Sequence, residues 1–347
     1  MRGLRRVLAR PGLPASILAA AASGLALWLA LPPAALGPLA FVALIPVLWA
    51  VRDVRARRGA LVGFAFGLVF FGLLLSWLAP LTGVGYVAVT TAQAGWTTLL
   101  FAYVAAVWRD DRPVRTALAV GAGWAAIEWL RSVFPFGGLT WASLGETQHD
   151  NPLLLPLASV IGSHGLALVV AAINVLLLLA LLRARTGGRQ RSAWPLGVSA
   201  VALAVLPVAI PIPEPDGPAV DVAVVQGNVP ARIGSRSRII EDVIVAENHA
   251  RLHRQLAGDP PDLAVWPENS VDHDPTRDPQ LGRLVTDAIR TVGAPTLVGA
   301  ITEVQPGKLR NELLLYTAGG QVTDRYAKNV LLPYGEYVPF RRFLQWI

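Results

Sequence analysis

The chain has 347 residues and a net charge of +7, and its composition is 54% hydrophobic but only 15% charged. Such an apolar composition is unusual for a soluble protein of this length and indicates a membrane protein. The 347 residues contain no cysteine, which excludes disulfides and thiolate metal sites among them. No HExxH, P-loop or GxGxxG motif supports a metal hydrolase or a nucleotide-binding enzyme.

The first part of the chain consists of long apolar stretches separated by short polar loops. Each stretch is close to the ~20 residues that a bilayer-spanning helix needs. The pattern predicts a membrane domain over residues 1–212 with about seven transmembrane helices, at residues 14–31, 35–51, 59–79, 81–108, 115–131, 152–182 and 193–212.

The distribution of arginine predicts the orientation of these helices. Fifteen basic residues, such as Arg2, Arg57 and Arg112, flank the helices on the side of the N-terminus. The loops on the other side have none beyond Arg131, at a helix end. By the positive-inside rule, the N-terminus is cytoplasmic and everything after residue 212 is extracytoplasmic. The first stretch could instead be a signal peptide, but an uncleaved anchor is favoured. We therefore expect a multi-pass protein of the inner (cytoplasmic) membrane.

A polar, Gly-rich segment at residues 134–152 interrupts the apolar pattern on the outer side. It is either a surface loop or a partly inserted segment beside a lipid-facing cavity, which is possible only where protein or water covers its backbone. Just before it, Glu128 and Arg131 stand one helical turn apart and are predicted to form an interfacial ion pair. The acidic and basic side chains of the segment itself are Glu146, His149 and Asp150.

Residues 213–218 are a Pro-rich linker, after which the pattern becomes α/β. The order β-α-β-α-β-β-β over residues 219–347 predicts a sheet with helices packed against it. The strands are expected within 219–229 and at 263–267, 295–302, 311–317 and 321–327, with helices at 236–257 and 278–293. No closing element follows the last strand, so we expect this domain to be incomplete at its C-terminus.

Several polar residues fall at the predicted carboxyl ends of strands, where ligands gather in sheets of this kind. They are Gln226, Asn228, Glu268, Asn269 and Lys328. Taken singly, an acid after a strand or a lysine on a hairpin is usually a solvated surface residue. Their common position at strand ends favours a shared site.

Three motifs of this domain, together with two in the membrane domain, resemble those of bacterial apolipoprotein N-acyltransferases, which carry a nitrilase-like domain on the outer face of the membrane. The motifs are VQGNVP (225–230), WPENS (266–270), RYAKNVLLPYGEYVPF (325–340), EWLR (128–131) and LGETQHDNPL (144–153). The resemblance implies an α/β fold of the nitrilase type, an αββα sandwich.

The resemblance also implies roles for individual residues. Glu268 would be the general base, Lys328 would stabilise the tetrahedral oxyanion, and Glu336 would be a further acid near the nucleophile. The substrate-binding candidates are Gln226, Asn228 and Asn269. The family's nucleophile is a cysteine that follows the lysine, and these 347 residues contain none. We therefore expect a truncated chain that is inactive alone.

The implied reaction transfers an acyl chain from a phospholipid, through a cysteine thioester, to the α-amino group of a lipoprotein's N-terminal diacylglyceryl-cysteine. The implied partners are the phospholipid donor, the diacylglyceryl apolipoprotein and the membrane, without cofactor, metal or nucleic acid. One alternative is an inactive membrane scaffold of the same family that binds lipid or a partner enzyme. A transporter is a third hypothesis, which the low number of intramembrane charges disfavours.

Overall fold

A computed structural model of the chain divides into two compact units, Met1–Glu214 and Pro215–Ile347. The side chains of residue 186 and of residues 238–242 are not described. The residues that the structure describes are 11–186, 193–212, 216–228, 238–305, 307–333 and 335–340.

The first unit is helical, as predicted. Its α-helices are α1 (Leu13–Leu29), α2 (Ala40–Ala43), α3 (Ile45–Val51), α4 (Ala56–Leu74), α5 (Gly83–Val107), α6 (Pro113–Val133), α7 (Ala158–Thr186) and α8 (Trp194–Val205). Short 3₁₀ turns lie at Gly37–Leu39, Ser76–Leu78, Gly145–Gln148, Leu155–Leu157 and Leu206–Ala209. Gly162, at φ +65°, interrupts the helical backbone near the start of α7.

Among the described residues, two helical segments are both long and apolar enough to cross a bilayer, Ala56–Leu74 and Leu155–Arg185. Three shorter apolar helical segments are Leu13–Leu29, Gly37–Val51 and Trp194–Ala209. The number of membrane crossings stays a prediction.

The stretch expected as one helix at residues 35–51 is divided at Leu44. Pro46 lies in the first turn of α3 and has no amide hydrogen to continue a helix. Side chains of other helices replace the missing helical bonds: Asn174 accepts from Leu44 N–H at 3.0 Å, and Ser23 accepts from Val47 N–H at 3.0 Å. The break is therefore stabilised by buried polar groups.

Glu128 and Arg131 hold the segment that follows α6. Arg131 donates to three backbone carbonyls within residues 139–142, at 2.8–2.9 Å. Glu128 accepts from Ser143 Oγ at 2.7 Å and from Leu144 N–H at 2.8 Å. The structure describes no direct ion pair between the two side chains, so the predicted pairing is wrong. Both buried side chains instead hydrogen-bond the segment 139–144, because unpaired polar groups are costly in a protein interior.

The second unit has the predicted order of strands and helices. Its elements are β1 (Val222–Val224), α9 (Arg238–His253), β2 (Leu263–Val271), α10 (Pro279–Val292), β3 (Thr296–Gln305), β4 (Lys308–Tyr316) and β5 (Val322–Ala327). The strands form one sheet in the order β1-β2-β3-β4-β5, parallel from β1 to β3 and antiparallel from β3 to β5.

The helix α10 illustrates why these elements form. Asp278 caps it by accepting from Gln280 N–H and Leu281 N–H at 2.7 and 3.0 Å, and Pro279 occupies its first position. Gly293 ends it in a left-handed conformation, at φ +75°. The buried apolar face of α10 consists of Leu281, Val285, Ala288, Ile289 and Val292.

The two faces of the sheet differ in what covers them. Helices α9 and α10 pack on the face that carries Trp266, Val298 and Leu314. The opposite face carries an aligned row of apolar side chains across four strands, in which Val224 is 71% exposed. The members of this open-face row are Val224, Val265, Leu297 and Leu315.

Candidate active site

A bulge in β2 presents Glu268. Trp266 pairs with Val298 and Val271 pairs with Ala300, so residues 267–270 lie opposite a single residue of β3. The sequence predicted that β2 ends at Pro267, with Glu268 and Asn269 beyond it. That prediction is wrong, because the strand resumes after the bulge and continues to Val271. A bulge of this kind redirects side chains without ending the strand.

Gly299 makes this bulge possible. A Cβ atom at Gly299 would lie 2.2 Å from the carbonyl oxygen of Pro267 and 2.8 Å from Cα of Glu268. Any larger residue would therefore push the bulge, and Glu268 with it, away from β3. Asn269 has a φ of +56°, a left-handed conformation that asparagine tolerates better than most residues.

Two segments that are distant in sequence bring charged groups together at the bulge. Lys328 follows β5, and its Nζ lies 2.9 Å from Oε1 of Glu268. The same Nζ lies 3.1 and 3.0 Å from the two carboxylate oxygens of Glu336. Glu336 is held in turn by Leu332 N–H, which donates to its Oε2 at 2.7 Å. Lys328 thus contacts both of the other residues predicted to be catalytic.

Asn311, on β4, is a member of this cluster that the sequence reasoning missed. Its Nδ2 donates to Oε1 of both Glu268 and Glu336, at 3.0 Å for the latter. Its backbone carbonyl accepts from Lys328 N–H at 2.9 Å. The available signal was an asparagine inside a predicted strand, since this residue type is depleted in strands.

The contacts keep both Lys328 and Glu336 charged. The hydrogen bond to Glu268 raises the pKa of the Lys328 ammonium, and the bond to Glu336 adds to this against the opposing effect of burial. Burial alone would raise the pKa of the Glu336 carboxyl. The hydrogen bonds from Leu332, Asn311 and Lys328 outweigh burial, and the pKa of Glu336 is lowered. At neutral pH the cluster contains an ammonium beside an ionised carboxylate.

An open pocket of about 420 Å³ lies beside the cluster. Glu268 and Lys328 line it, together with apolar and polar side chains of β4, β5 and the following segment, such as Leu313, Tyr326 and Val330. The side chain of Glu268 is 53% exposed and that of Glu336 is 25% exposed. Glu268 is therefore the acid that an incoming group can reach, and Glu336 is the one that supports Lys328.

The predicted substrate-binding residues are not all at this pocket. Asn269 is part of the bulge, next to Glu268. Gln226 and Asn228 are exposed in the turn after β1 and do not line the pocket. Asn228 has a φ of +62°, so its residue type is also explained by backbone conformation. A role of these three side chains in binding stays a prediction.

Known proteins resemble this chain over both units. Residues 23–176 match the apolipoprotein N-acyltransferase N-terminal domain. The apolipoprotein N-acyltransferase of Pseudomonas syringae pv. tomato is 30% identical over 98% of this chain and 68% of its own length. The enzyme of that name from Geobacter metallireducens is 28% identical, over 95% of this chain and 66% of its own length. The enzyme of that name from Mycolicibacterium smegmatis is 31% identical, over 95% of this chain and 60% of its own length.

The chain spans about two thirds of the length of the curated relatives it matches. The match to the Pseudomonas syringae enzyme covers 98% of the chain and therefore extends over the helical unit and the sheet unit alike. The chain belongs to the apolipoprotein N-acyltransferase family.

Proposed function

We propose that the protein transfers an acyl chain from a phospholipid to the α-amino group of a lipoprotein's N-terminal diacylglyceryl-cysteine. The observation that carries this proposal is the contact of Lys328 with Glu268 and Glu336 at an open pocket. Membership of the family supports it, because curated relatives carry the name of this activity. A contact between two acids and a lysine suits acyl transfer, which needs a base and a stabilised oxyanion.

In the first step, Glu268 takes the proton of a cysteine thiol, and the thiolate attacks the ester carbonyl of the phospholipid. Lys328 stabilises the negative oxygen of the tetrahedral intermediate. The carbon–oxygen bond to the lysophospholipid then breaks, Glu268 returns the proton to the leaving alkoxide, and a thioester remains. Glu336 keeps the Lys328 ammonium in place throughout.

In the second step, the α-amino group of the lipoprotein attacks the thioester carbonyl. Glu268 accepts a proton from the attacking amine, the carbon–sulfur bond breaks, and an amide forms. Glu268 then returns the proton to the departing thiolate, which restores the cysteine thiol and the carboxylate. The same oxyanion position serves both steps, so Lys328 contributes twice. Gln226, Asn228 and Asn269 are proposed to bind substrate, on the basis of their positions in the bulge and in the turn after β1.

The nucleophile is not among the 347 residues, which contain no cysteine. We therefore propose the reaction for a full-length protein that includes the part of the relatives that this chain does not span. The 347-residue chain alone is expected to be inactive. The apolar open-face row supports the proposal that the second sheet of an αββα sandwich packs against it, because a sheet must bury an apolar face. The proposed domains are residues 1–212 and 219–347, joined by residues 213–218.

The proposed location is the inner membrane, with about seven crossings and an extracytoplasmic sheet domain. The arginine distribution supports the orientation, and the apolar helices of the first unit support membrane insertion. Both substrates carry acyl chains, so a catalytic domain attached to a membrane bundle meets them where they are concentrated.

The proposal is tested with full-length protein in phospholipid nanodiscs and a synthetic diacylglyceryl-cysteine peptide. Mass spectrometry of the peptide measures the added acyl chain. Glu268→Gln should lower the rate by about 10²–10⁴-fold, the contribution typical of a general base. The matched control is Glu247→Gln, which changes an exposed acid on α9 and should leave the rate unchanged. Full activity of Glu268→Gln, or no acylation by the unsubstituted protein, would reject the proposal and favour a binding scaffold.

A further inference from the structure

Two buried histidines of α9 lie behind the bulge. His249 is 2% exposed and His253 is 0% exposed, and they stand one helical turn apart. Both rings contact the indole of Trp266, with centroid distances of 5.5 and 5.6 Å. Trp266 is itself fully buried and is the last paired residue before the bulge that carries Glu268. The proposed reaction uses neither histidine.

Hydrogen bonds define which ring nitrogens carry protons. The indole N–H of Trp266 can only donate, and it lies 3.1 Å from Nδ1 of His253. That nitrogen must therefore keep its lone pair, which requires a neutral ring. Nδ1 of His249 lies 2.8 Å from the carbonyl oxygen of Val245, which can only accept. His249 therefore carries its proton on Nδ1.

A metal site is the first alternative to consider, because histidines four residues apart on a helix are a common ligand pair. Nε2 of both His249 and His253 is buried without a hydrogen-bond partner in the described part of the chain. However, a neutral His253 whose Nδ1 accepts a hydrogen bond has its proton on Nε2, and that nitrogen cannot bind a metal. The described residues also contain no group of three or more potential ligands. The burial of both histidines is better explained by the packing of their rings against neighbouring segments.

The two histidine rings pack against both segments that carry predicted site residues, the turn after β1 and the bulged strand β2. A Cβ atom at Gly227 would lie 2.3 Å from Nδ1 of His249, so the turn after β1 packs directly on this ring. The end of β1 is joined to β2 by Val225 N–H, which donates to the Val265 carbonyl at 2.8 Å. His249 thus touches the Gly227 turn and Trp266 at once, and His253 fixes the rotation of Trp266.

We propose that His249 and His253 are positioning residues, which as neutral rings hold Trp266 and the Gly227 turn and thereby keep Glu268 opposite Lys328. The consequence for catalysis rests on the proposed function, whereas the consequence for the local structure does not. Protonation of His253 would remove the acceptor for Trp266 and place a charge in the core.

The surroundings of the rings make this packing sensitive to acid. Burial lowers the pKa of both histidines, and nearby Arg254 lowers that of His253 further, to about 4. Among the described residues, Arg254 is the only charged group that shifts either pKa. The elements packed against the two rings are β2, which places Trp266 there, and α10, which packs with its apolar face. Since the ordinary pKa is 6.5, the packing is fully stable above pH 6.5 and loses stability as the pH falls towards about 4.

Hydrogen–deuterium exchange of the full chain in detergent micelles tests this directly. Protection factors, which correct for the intrinsic effect of pH, are compared at pH 7.5 and 5.0 for peptides covering 222–228, 263–271 and 308–316. At pH 5.0 we expect the protection of peptides 222–228 and 263–271 to fall roughly 30-fold. This factor follows from a His253 pKa of 6.5 when the ring is exposed and about 4 when it is buried. Protection of 308–316 should change much less.

Three variants separate positioning from general stability. His253→Asn places an amide oxygen near the position of Nδ1 and cannot titrate, so protection should stay high at both pH values. His253→Phe leaves the Trp266 N–H without an acceptor, so the protection of peptides 222–228 and 263–271 should be low at both pH values. The control His273→Asn changes an exposed histidine of the same unit and should behave like the unsubstituted chain.

Equal protection at both pH values in the unsubstituted chain would overturn the proposal, as would an equal loss in all three peptides. Acyl transfer by the full-length protein is measured alongside, and His253→Asn should retain at pH 5.0 the activity that the unsubstituted protein loses. If the exchange results hold and no variant acylates at any pH, the positioning role stands and the proposed function fails.

Discussion

Nζ of Lys328 and Oε1 of Glu268 lie 2.9 Å apart, although the residues are 60 positions apart in the sequence. The contact exists because β2 bulges over Gly299 and because β5 returns antiparallel to β4, so that its end reaches the bulge. It joins a partly exposed carboxylate to a lysine whose pKa is raised, an arrangement suited to proton transfer and oxyanion binding at one point.

Replacing the lysine should remove the oxyanion partner. Lys328→Met in the full-length protein should lower the rate of acyl transfer by about 10²–10³-fold, the effect of losing one such donor. Lys308, the other lysine of the sequence, is exposed at the start of β4 and gives a matched control. Lys308→Met should retain the full rate in the same peptide assay. Comparable losses in both variants would contradict a specific role for Lys328.

Adding a charge at Asn311 should shift the pH dependence of the reaction. Asn311→Asp places a third carboxylate against Glu268 and Glu336, and a nearby like charge raises the pKa of an acid. The acids would then bind protons up to a higher pH, so the acidic limb of the rate profile should move upwards by roughly one pH unit. Asn329→Asp puts the same charge at the pocket without touching either acid, and its profile should move less.

Gly299 should be sensitive to the smallest substitution. Gly299→Ala places Cβ against Pro267 O and Glu268 Cα, which should destabilise the sheet unit by ~1–3 kcal/mol and lower the acylation rate. Gly319→Ala is the control, because its Cβ would have Thr317 Oγ1 as its nearest neighbour, at 3.6 Å. Thermal unfolding followed by intrinsic fluorescence compares the two. Equal stability of both variants would show that the bulge does not need this space.

The orientation in the membrane can be tested by cysteine labelling, since the 347-residue chain has no cysteine of its own. Asp150→Cys and Asp324→Cys, both exposed, should react with an impermeant maleimide added to intact spheroplasts. Arg57→Cys is exposed on the predicted cytoplasmic side and should react only after permeabilisation. Labelling of Arg57→Cys in intact spheroplasts would contradict the predicted orientation.

Much of the fold was predictable from local patterns. The order of strands and helices in the second unit followed from runs of apolar residues, and the cap of α10 followed from Asp278, Pro279 and Gly293. The break at Leu44 was not predictable to the same degree. It depends on Asn174, which is 130 positions away and supplies the missing acceptor. Local sequence carries no information about such a partner.

The site was predictable in its charged residues but not in its geometry. The motifs identified Glu268, Lys328 and Glu336, which the structure brings into contact. The bulge was missed because it arises from the pairing of Trp266 and Val271 with β3, a tertiary register that a strand pattern does not contain. Asn311 was missed for the same reason, since its importance comes from a cross-strand position.

In the proposed reaction, Glu268 activates a cysteine thiol and Lys328 stabilises the oxyanion that precedes the acyl thioester. The most direct measurement is the intact mass of the full-length protein after incubation with phospholipid nanodiscs, without an acceptor peptide. We expect a mass increase equal to one acyl chain that hydroxylamine removes, and this increase should form about 10²–10⁴-fold more slowly in Glu268→Gln. A hydroxylamine-sensitive acyl adduct that forms at an unchanged rate in Glu268→Gln and Lys328→Met would contradict these roles of Glu268 and Lys328.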